Sequence, residues 1–432
     1  MQFGLFPTDI RTVPPKTNGT VNKLDANDKQ FHDWYRFVLS FPPHLVRNYF
    51  ERFGLKPGQT VLDPFCGTGT TLVEAKLHGI SSIGIEANSM AHFASSVKVD
   101  WSVDPDGLIK HSSLVGKLAQ KALMSKNGLV FRKLPEEAHS LLLKDSISPL
   151  PLHKSLVLLE QLYGEANLVF QRHEKLALAK ALVSSISNLH FGPEVGVRRS
   201  KKVDAPVVEN WLYEVKSIAT DLRNVRLPLA PSTVHHSDSR QISTLLRPNS
   251  IDAVFTSPPY PNEKDYSRAT RLELVMLGFI SSKEELRTLK KGLLRSNTRN
   301  VYKGDNDDAW VAENIAVQSI AAEIEERRIA LGKTSGFEKL YGKVTKLYFG
   351  GMARHLAELR PFLKPGAYLG YVVGDQASYL QVMIHTGQLL ADIAQSLGYR
   401  VVSIDLFRTR LSTTTRKQMR EEIVVLQWPG NY

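Results

Sequence analysis

The stretch TVLDPFCGTGTTLVEAKLHG, residues 60–79, decides the fold class of this 432-residue chain. TVLDPF predicts a short buried strand, CGTGTT a glycine loop, and TLVEAKLHG a helix that ends at Gly79. A second strand, SSIGIEAN, and a second helix, SMAHFASSVKVDW, follow directly. This order of elements predicts an α/β protein with a doubly wound, mostly parallel sheet.

The rest of the chain alternates between α/β and helical parts. The first residues, 1–30, are rich in Pro, Thr, Asn and Asp, and they predict a loose N-terminal arm. Strand signals are confined to three segments, which we assign to the α/β core: residues 31–101, 231–280 and 346–432. The segments between them show helical spacing without strand alternation. We therefore predict two largely helical insertions, residues 102–230 and 281–345.

The composition favours a polyanionic partner. Lysine and arginine total 55 against 43 acidic residues, a formal net charge of +12. Such an excess suits DNA or RNA, although a merely basic soluble protein explains it equally well. Cys66 is the one cysteine, which excludes intrachain disulfides and a thiolate zinc cluster. The N-terminus does not resemble a signal peptide and no apolar run is long enough to span a bilayer, so we expect a cytoplasmic protein without a membrane role.

The glycine loop has the features of a small-molecule site. Asp63, Gly67 and Gly69 stand at a strand-to-helix corner, where glycine allows a tight turn and close approach of a ligand. The spacing matches neither a P-loop nor a dinucleotide fingerprint, so a carboxylate-bearing ligand fits better than a triphosphate. Glu86 ends the next strand, where an acidic side chain can bind ribose hydroxyls. A structural turn with a surface glutamate is the alternative.

A second unusual stretch, TSPPY at residues 256–260, directly follows the apolar run IDAVF. Two consecutive prolines stiffen the backbone and donate no hydrogen bond, and they place a hydroxyl and an aromatic ring at fixed positions. A rigid turn with a packed tyrosine is the simpler interpretation of this stretch. Its position after a buried strand, in a chain that also contains the glycine loop, favours a functional role.

Together, DPFCGTGTT, GIEAN and TSPPY resemble the S-adenosylmethionine-dependent DNA amino-methyltransferases, which methylate cytosine N4 or adenine N6. The resemblance covers roughly residues 31–101, 233–280 and 346–428, and it leaves out both insertions. It implies a Rossmann-like methyltransferase sheet, S-adenosyl-L-methionine as cofactor and double-stranded DNA as substrate. It also suggests a restriction-modification system with a cognate restriction endonuclease as functional partner, and it leaves the oligomeric state open.

The resemblance also implies which residues hold the cofactor. Residues of the glycine loop would line its methionine end, Glu86 would hold the ribose, and Asp238 would meet the adenine amino group. In full, the implied cofactor residues are Asp63, Pro64, Phe65, Gly67, Gly69, Thr70, Thr71, Glu86 and Asp238. Asp238 can also be an ordinary turn aspartate. FPPHLV, residues 41–46, resembles the segment that closes over the cofactor, but Pro43 equally suits the first turn of a helix.

For catalysis, the resemblance implies Ser257, Pro258, Pro259 and Tyr260. Ser257 Oγ and the Pro258 carbonyl would accept the N–H groups of the target amine, and the ring of Tyr260 would stack on a base flipped out of the duplex. Methylation at cytosine C5 is unlikely because it needs a cysteine nucleophile, and Cys66 lies in the cofactor loop. A leading serine in this motif favours cytosine N4 over adenine N6 within the family.

Clusters of basic residues outside the motifs are candidate nucleic-acid contacts, since arginine reads guanine edges and lysine often holds phosphates. They are Arg198, Arg199, Lys201, Lys202, Arg268, Arg271, Lys290, Lys291, Arg295, Arg299, Arg408, Arg410 and Arg416. Any one cluster can equally be a solvated face. We expect the first insertion to provide more of the target recognition and the second more of the backbone contact. An RNA base methyltransferase and a non-catalytic cofactor-binding subunit remain as alternative functions.

Overall fold

The computed structural model describes residues 24–37, 40–125, 131–165, 167–192, 194–225, 229–262, 264–411 and 418–430. Nearly all of the expected N-terminal arm lies outside these residues. The described strands are, in chain order, β1 (Thr60–Asp63), β2 (Ser81–Glu86), β3 (Leu189–Phe191), β4 (Val195–Val197), β5 (Ser232–His236), β6 (Ile251–Thr256), β7 (Leu363–Gly374), β8 (Arg400–Leu411) and β9 (Gln418–Gln427).

Fourteen α-helices are described along the same residues. They are α1 (Pro43–Arg52), α2 (Thr70–Leu77), α3 (Ser89–Lys98), α4 (Pro105–Met124), α5 (Glu136–Ser140), α6 (Pro149–Gly164), α7 (Leu168–Ala181), α8 (Val207–Arg223), α9 (Tyr266–Ala269), α10 (Arg271–Met276), α11 (Lys283–Gly292), α12 (Ile315–Ala330), α13 (Tyr341–Leu359) and α14 (Thr386–Ser396). α7 continues into a π-helical turn, Leu182–Ile186. Within the described residues, none of the helices is both long enough and apolar enough to cross a membrane.

Seven strands form the central sheet in the order β5–β2–β1–β6–β7–β9–β8. The pairs from β5 to β7 are parallel, and β9 runs antiparallel to both of its neighbours. The strand order reverses between β1 and β6. From β1 the chain continues to β2 on one side, and from β6 it continues to β7 on the other. The predicted doubly wound, mostly parallel sheet is therefore confirmed, and the carboxyl ends of β1 and β6 meet at its switch point, where α/β sheets bind ligands.

Alternate residues of the central strands are buried on opposite faces of the sheet. Leu62 and Val254 belong to the core that contains α13 and α14, whereas Val61 and Phe255 pack in the core that contains α1. All four side chains are completely buried. Helices therefore cover both faces, as a parallel sheet requires. α1 begins at Pro43, in agreement with the helix-start interpretation of FPPHLV.

The first insertion is mainly helical and contains α4 to α8, which pack around the completely buried Trp211. It also contains a two-stranded antiparallel hairpin, β3–β4, for which the helical spacing gave no signal. Asn188, two residues after the π-helical turn, is held by the first part of the insertion: its Nδ2 donates to the Asp145 carbonyl and to Ser148 Oγ, each at 3.0 Å. Contacts that are distant in sequence thus override the local period.

We expect Trp211→Ala to lower the free energy of unfolding by about 3–5 kcal/mol, because it leaves a large cavity and removes the bond from Trp211 Nε1 to the Glu174 carbonyl. Tyr213→Ala on the same helix is the control, since that side chain is 72% exposed, and it should change the free energy by less than about 0.5 kcal/mol. Urea unfolding of the three proteins measures both effects. Equal destabilisation by the two substitutions would contradict the packing described.

Candidate active site

A buried hydrogen bond joins the ends of β1 and β6. Asp63 Oδ1 accepts from Thr256 Oγ1 at 2.6 Å and from the Phe65 N–H at 3.2 Å. At the second residue of α2, Thr71 Oγ1 donates to the Phe255 carbonyl at 3.2 Å. The glycine loop is therefore tied to the strand that leads into Ser-Pro-Pro-Tyr, although 193 residues separate Asp63 from Thr256.

Two carboxylates flank the glycine loop, and each has unused acceptor capacity. Asp63 Oδ2 is completely buried and has no hydrogen-bond partner among the described residues. Burial raises the pKa of Asp63 to about 6. Glu86 accepts from the N–H groups of Gly67 at 2.8 Å and Asn88 at 2.7 Å, and burial raises its pKa to about 7. The carboxylates of Asp63 and Glu86 can therefore accept further hydrogen bonds, and such bonds would stabilise their ionised forms.

The glycines keep the loop tight against α3. Gly67 has φ of +50° and Gly69 has φ of +82°, values that disfavour other residues. A Cβ at position 69 would also lie 3.0 Å from the Cβ of Ser95. Thr70 and Thr71 are the first residues of α2, so their backbone N–H groups have no partner within the helix. The loop thus presents backbone donors to the ligand side.

One cavity of about 390 Å³ adjoins both motifs. From the glycine loop and β2, it is lined by Pro64, Phe65, Gly67, Thr70 and Glu86. From the end of β6, it is lined by Ser257, Pro258, Pro259 and Tyr260. The structure therefore brings part of the predicted cofactor loop and the predicted catalytic corner into a shared space, whereas Asp63, Gly69 and Thr71 do not line the cavity.

The Ser257 hydroxyl is oriented by the neighbouring strand. Its Oγ donates to the Val372 carbonyl at 3.0 Å, so the proton is committed and the oxygen lone pairs remain as acceptors. The Tyr260 ring lies against Gly374, where a Cβ would come within 3.0 Å of Cε2. Burial, together with the nearby Glu421 carboxylate, raises the pKa of Tyr260 above its usual value, so the phenol stays neutral.

The Asp238 carboxylate is engaged within the protein. Its carboxylate is paired with Arg240, whose Nε lies 2.9 Å from Oδ1 and whose Nη2 lies 2.6 Å from Oδ2. Its neighbours Ser237 and Ser239 line the cavity, whereas Asp238 does not. Because an arginine two residues later holds both carboxylate oxygens, Asp238 supports the cavity wall from behind.

The basic candidates divide into three groups. Arg268, Arg299, Arg408 and Arg410 line the cavity. Arg198, Arg199, Lys201 and Lys291 are exposed, Lys202 is half-buried, and Arg416 lies outside the described residues. The other three are held by protein groups: Arg271, Lys290 and Arg295.

These three residues stabilise the fold and are not free to bind phosphate. Arg295 is 4% exposed, and its Nε and Nη2 each lie 2.8 Å from Asp305. Lys290 pairs with Asp265 at 2.7 Å, and Arg271 donates to Ser267 and to the Leu141 carbonyl. A sequence run of basic residues cannot distinguish such internal pairs from surface charges.

Several cavity residues were not predicted. Ser40 and Phe41, before α1, line it, and FPPHLV already pointed to this segment. Phe191 and Glu194 come from the β3–β4 hairpin, and Asn300 comes from the second insertion. No motif marks these three positions, because only the tertiary fold brings them to the switch point.

Comparisons with known proteins agree with the two motifs. Residues 15–95 match the N6_N4_Mtase family model, described as DNA methylase. Type II methyltransferase M.BsoBI from Geobacillus stearothermophilus is 27% identical over 445 residues, covering 95% of this chain and 87% of that protein. Type II methyltransferase M.AvaI from Nostoc sp. is 22% identical over 437 residues, covering 93% and 87%.

The solved structure of TrmN from Thermus thermophilus covers 93% of this chain and 52% of that chain, with 12% identity and a TM-score of 0.30. A likeness of this size carries no weight for the fold, which rests on the strand order above. The family-model match and the nearly full-length similarity to M.BsoBI agree with the glycine loop and the Ser-Pro-Pro-Tyr corner found in one cavity. The family-model match over residues 15–95 and the similarity to M.BsoBI both support the resemblance to the DNA amino-methyltransferase family.

Proposed function

We propose that this protein transfers the methyl group of S-adenosylmethionine to an exocyclic amine of a base in double-stranded DNA, with cytosine N4 favoured over adenine N6. The observation that carries the proposal is the single cavity shared by the glycine loop and Ser257–Tyr260. The similarity to two Type II methyltransferases supports a role in a restriction-modification system, and a cytoplasmic location is part of the proposal.

The residues around the glycine loop fit the cofactor that the family implies. The unpartnered Asp63 Oδ2 suits the ammonium group of its methionine end, and Glu86 retains lone pairs for ribose hydroxyls. Gly67 lines the cavity and has no neighbouring atom where a Cβ would stand, so its backbone is open to close contact with a ligand. When bound, the cofactor supplies an electrophilic methyl group on a sulfonium centre.

The Ser-Pro-Pro-Tyr corner supplies acceptors for the target amine. Ser257 Oγ has its proton engaged by Val372, and the Pro258 carbonyl belongs to a backbone stiffened by two prolines. Two fixed acceptors would hold both N–H groups, so that the nitrogen lone pair points away from the ring. Tyr260 would stack on the face of the base. The chain's contribution to rate is thus positioning and electrostatics.

The target base must leave the duplex to enter this cavity, so we include base flipping in the proposal. We do not propose Cys66 as a nucleophile, because it is buried in the glycine loop and burial raises the pKa of its thiol. We retain residues 102–230 as the target-recognition part and 281–345 as a DNA-contact part. The cavity contacts of Glu194 and Asn300 support a role for both insertions near the target nucleotide.

Methyl transfer from radiolabelled S-adenosylmethionine to duplex DNA, compared with tRNA and rRNA, tests the function. We expect label in DNA, and mass spectrometry of the digested nucleosides should show N4-methylcytosine. Detection of N6-methyladenine would identify adenine as the target base and would still agree with methyl transfer to an exocyclic amine. Label in RNA alone would contradict the proposal and support an RNA base methyltransferase, and binding without transfer would support a non-catalytic subunit.

Ser257→Ala and Tyr260→Ala should each lower the turnover number by about 100-fold or more, because they remove an acceptor and the stacking ring. Cofactor affinity, measured by calorimetry, should stay within about twofold for both variants. Ser250→Ala is the control, because that hydroxyl precedes β6 at the opposite end and donates to the Arg247 carbonyl. A large loss of cofactor affinity in both variants would place the catalytic corner in the cofactor site.

Asp63→Asn should remove a pH-dependent cost of folding while it weakens cofactor binding. The folded-state pKa of Asp63, about 6, exceeds the ordinary value near 3.9, so its contribution to stability is lost as pH rises through 6. The cofactor-free variant should therefore gain on the order of 2–3 kcal/mol relative to wild type between pH 4 and pH 7. Chemical unfolding at both pH values measures this.

Asp392→Asn, which replaces an exposed aspartate on α14, controls for the loss of one negative charge. A stability difference between Asp63→Asn and wild type that stays constant from pH 4 to pH 7 would contradict the buried carboxylate.

A further inference from the structure

Positive charge in the cavity lies on the side of the catalytic corner. The cationic side chains that line it are Lys264, Arg268, Arg299, Arg408 and Arg410. Around the glycine loop, the lining segments Phe37–Phe41, Pro64–Thr70 and Ile85–Ala91 contribute no lysine or arginine among the described lining residues. Lys264 and Arg268 follow Tyr260 by only four and eight residues. The cations are thus placed for the target nucleotide.

Several of these cations are not neutralised within the protein. Arg408 pairs with Glu421, and Arg410 Nε lies 3.8 Å from the same carboxylate. In the described part of the chain, the side chains of Lys264, Arg268 and Arg299 make no hydrogen bond and no ion pair. The neighbouring acid Asp265 is already held by Lys290 at 2.7 Å. This side of the cavity therefore has an unbalanced positive charge.

Arg268 gives the clearest indication that an anion binds on this side of the cavity. Its Nε is buried without a partner among the described residues, and the guanidinium lies close enough to Arg271 to lower the pKa of that residue further. Arg410 Nε is also buried without a hydrogen bond, although it lies 3.8 Å from the Glu421 carboxylate. Arg268 as a whole is half-buried, but a buried donor atom without a partner is costly, and native proteins rarely keep one unless a water or a ligand completes the site.

Lys264 shows the same unbalanced environment. Burial lowers its pKa, the nearby Arg410 lowers it further, and Glu194 and Glu421 oppose the shift. Glu194 is exposed at the tip of the β3–β4 hairpin and makes no ion pair of 4 Å or less with Lys264. The hairpin carboxylate therefore moderates the positive charge without removing it.

We propose that Lys264, Arg268 and Arg299 form a clamp that binds the phosphodiester backbone at the target nucleotide. The inference rests on the proposed function, because it takes DNA as the substrate. Planar guanidinium groups suit the paired oxygens of a phosphodiester, and an ammonium supplies a compact second charge. The clamp would hold the backbone beside the catalytic corner while the base occupies the cavity.

The cofactor carboxylate is the other anion that could complete this site, and the experiment must separate the two sources. The methylated sequence is first identified by sequencing DNA that the enzyme has modified. Duplexes with that sequence are then prepared in which one phosphate near the target nucleotide at a time is a neutral methylphosphonate. Equilibrium affinity for each duplex is measured by fluorescence anisotropy, and cofactor affinity by calorimetry.

For the wild type, we expect one or two methylphosphonates beside the target nucleotide to lower DNA affinity about tenfold. Arg268→Ala should lower affinity for the unmodified duplex about tenfold and lose the response to those same methylphosphonates. Arg268→Lys should restore part of the response, and Lys264→Ala serves as a second, independent variant. Lys56→Ala removes an exposed charge in the turn before β1, outside the cavity and outside both insertions, and should keep the wild-type profile.

Cofactor affinity should stay within about twofold in Arg268→Ala. A tenfold loss of cofactor affinity with an unchanged methylphosphonate response would assign the anion to the cofactor and overturn the clamp. Normal DNA methylation with no sensitive phosphate near the target would overturn the clamp and leave the proposed function intact. Absence of DNA methylation by the wild type would overturn both.

Discussion

The hydrogen bond between Asp63 and Thr256 is the contact on which the candidate site depends. It joins two parallel strands at the point where the strand order reverses, so the loops after both strands open into the same crevice. The bond is shielded from water, and breaking it would leave a buried carboxylate still less satisfied. Burial raises the pKa of the Asp63 carboxyl to about 6, so the ionised form is unfavourable at this position. A hydrogen-bond donor from a ligand would stabilise that form.

A second buried network links the wall of the site to the second insertion. Arg240 binds Asp238 on one side and Asp307 on the other, and Arg354 also reaches Asp307, at 3.3 Å. Gly350 allows this contact, because a Cβ there would overlap the Asp307 carbonyl. The second insertion is consequently seated on the core through charges that are fully paired. Asp238, expected at the ligand, instead belongs to this internal support.

The sequence was sufficient for the parts that depend on local pattern. The glycine loop, the strands on either side of it and the Ser-Pro-Pro-Tyr corner followed from short-range chemistry and a family resemblance, and the predicted sheet is confirmed. The hairpin β3–β4 was missed because Asn188 is held by Asp145 and Ser148, which are about 40 residues away. Arg295 was assigned to DNA because a basic run gives no sign that Asp305 neutralises it.

The reversal of strand order has a consequence for how such proteins diversify. The first insertion leaves the core after α3, and the chain returns to the core at β5. The pairing of β5 with β2 holds the two ends of this long connection together. Loop-closure entropy grows only logarithmically, so doubling a connection costs about 0.6 kcal/mol. We therefore expect that insertions of different length can be exchanged between these two points without moving the residues around the cavity. Insertion length and cavity geometry can thus change separately in this architecture.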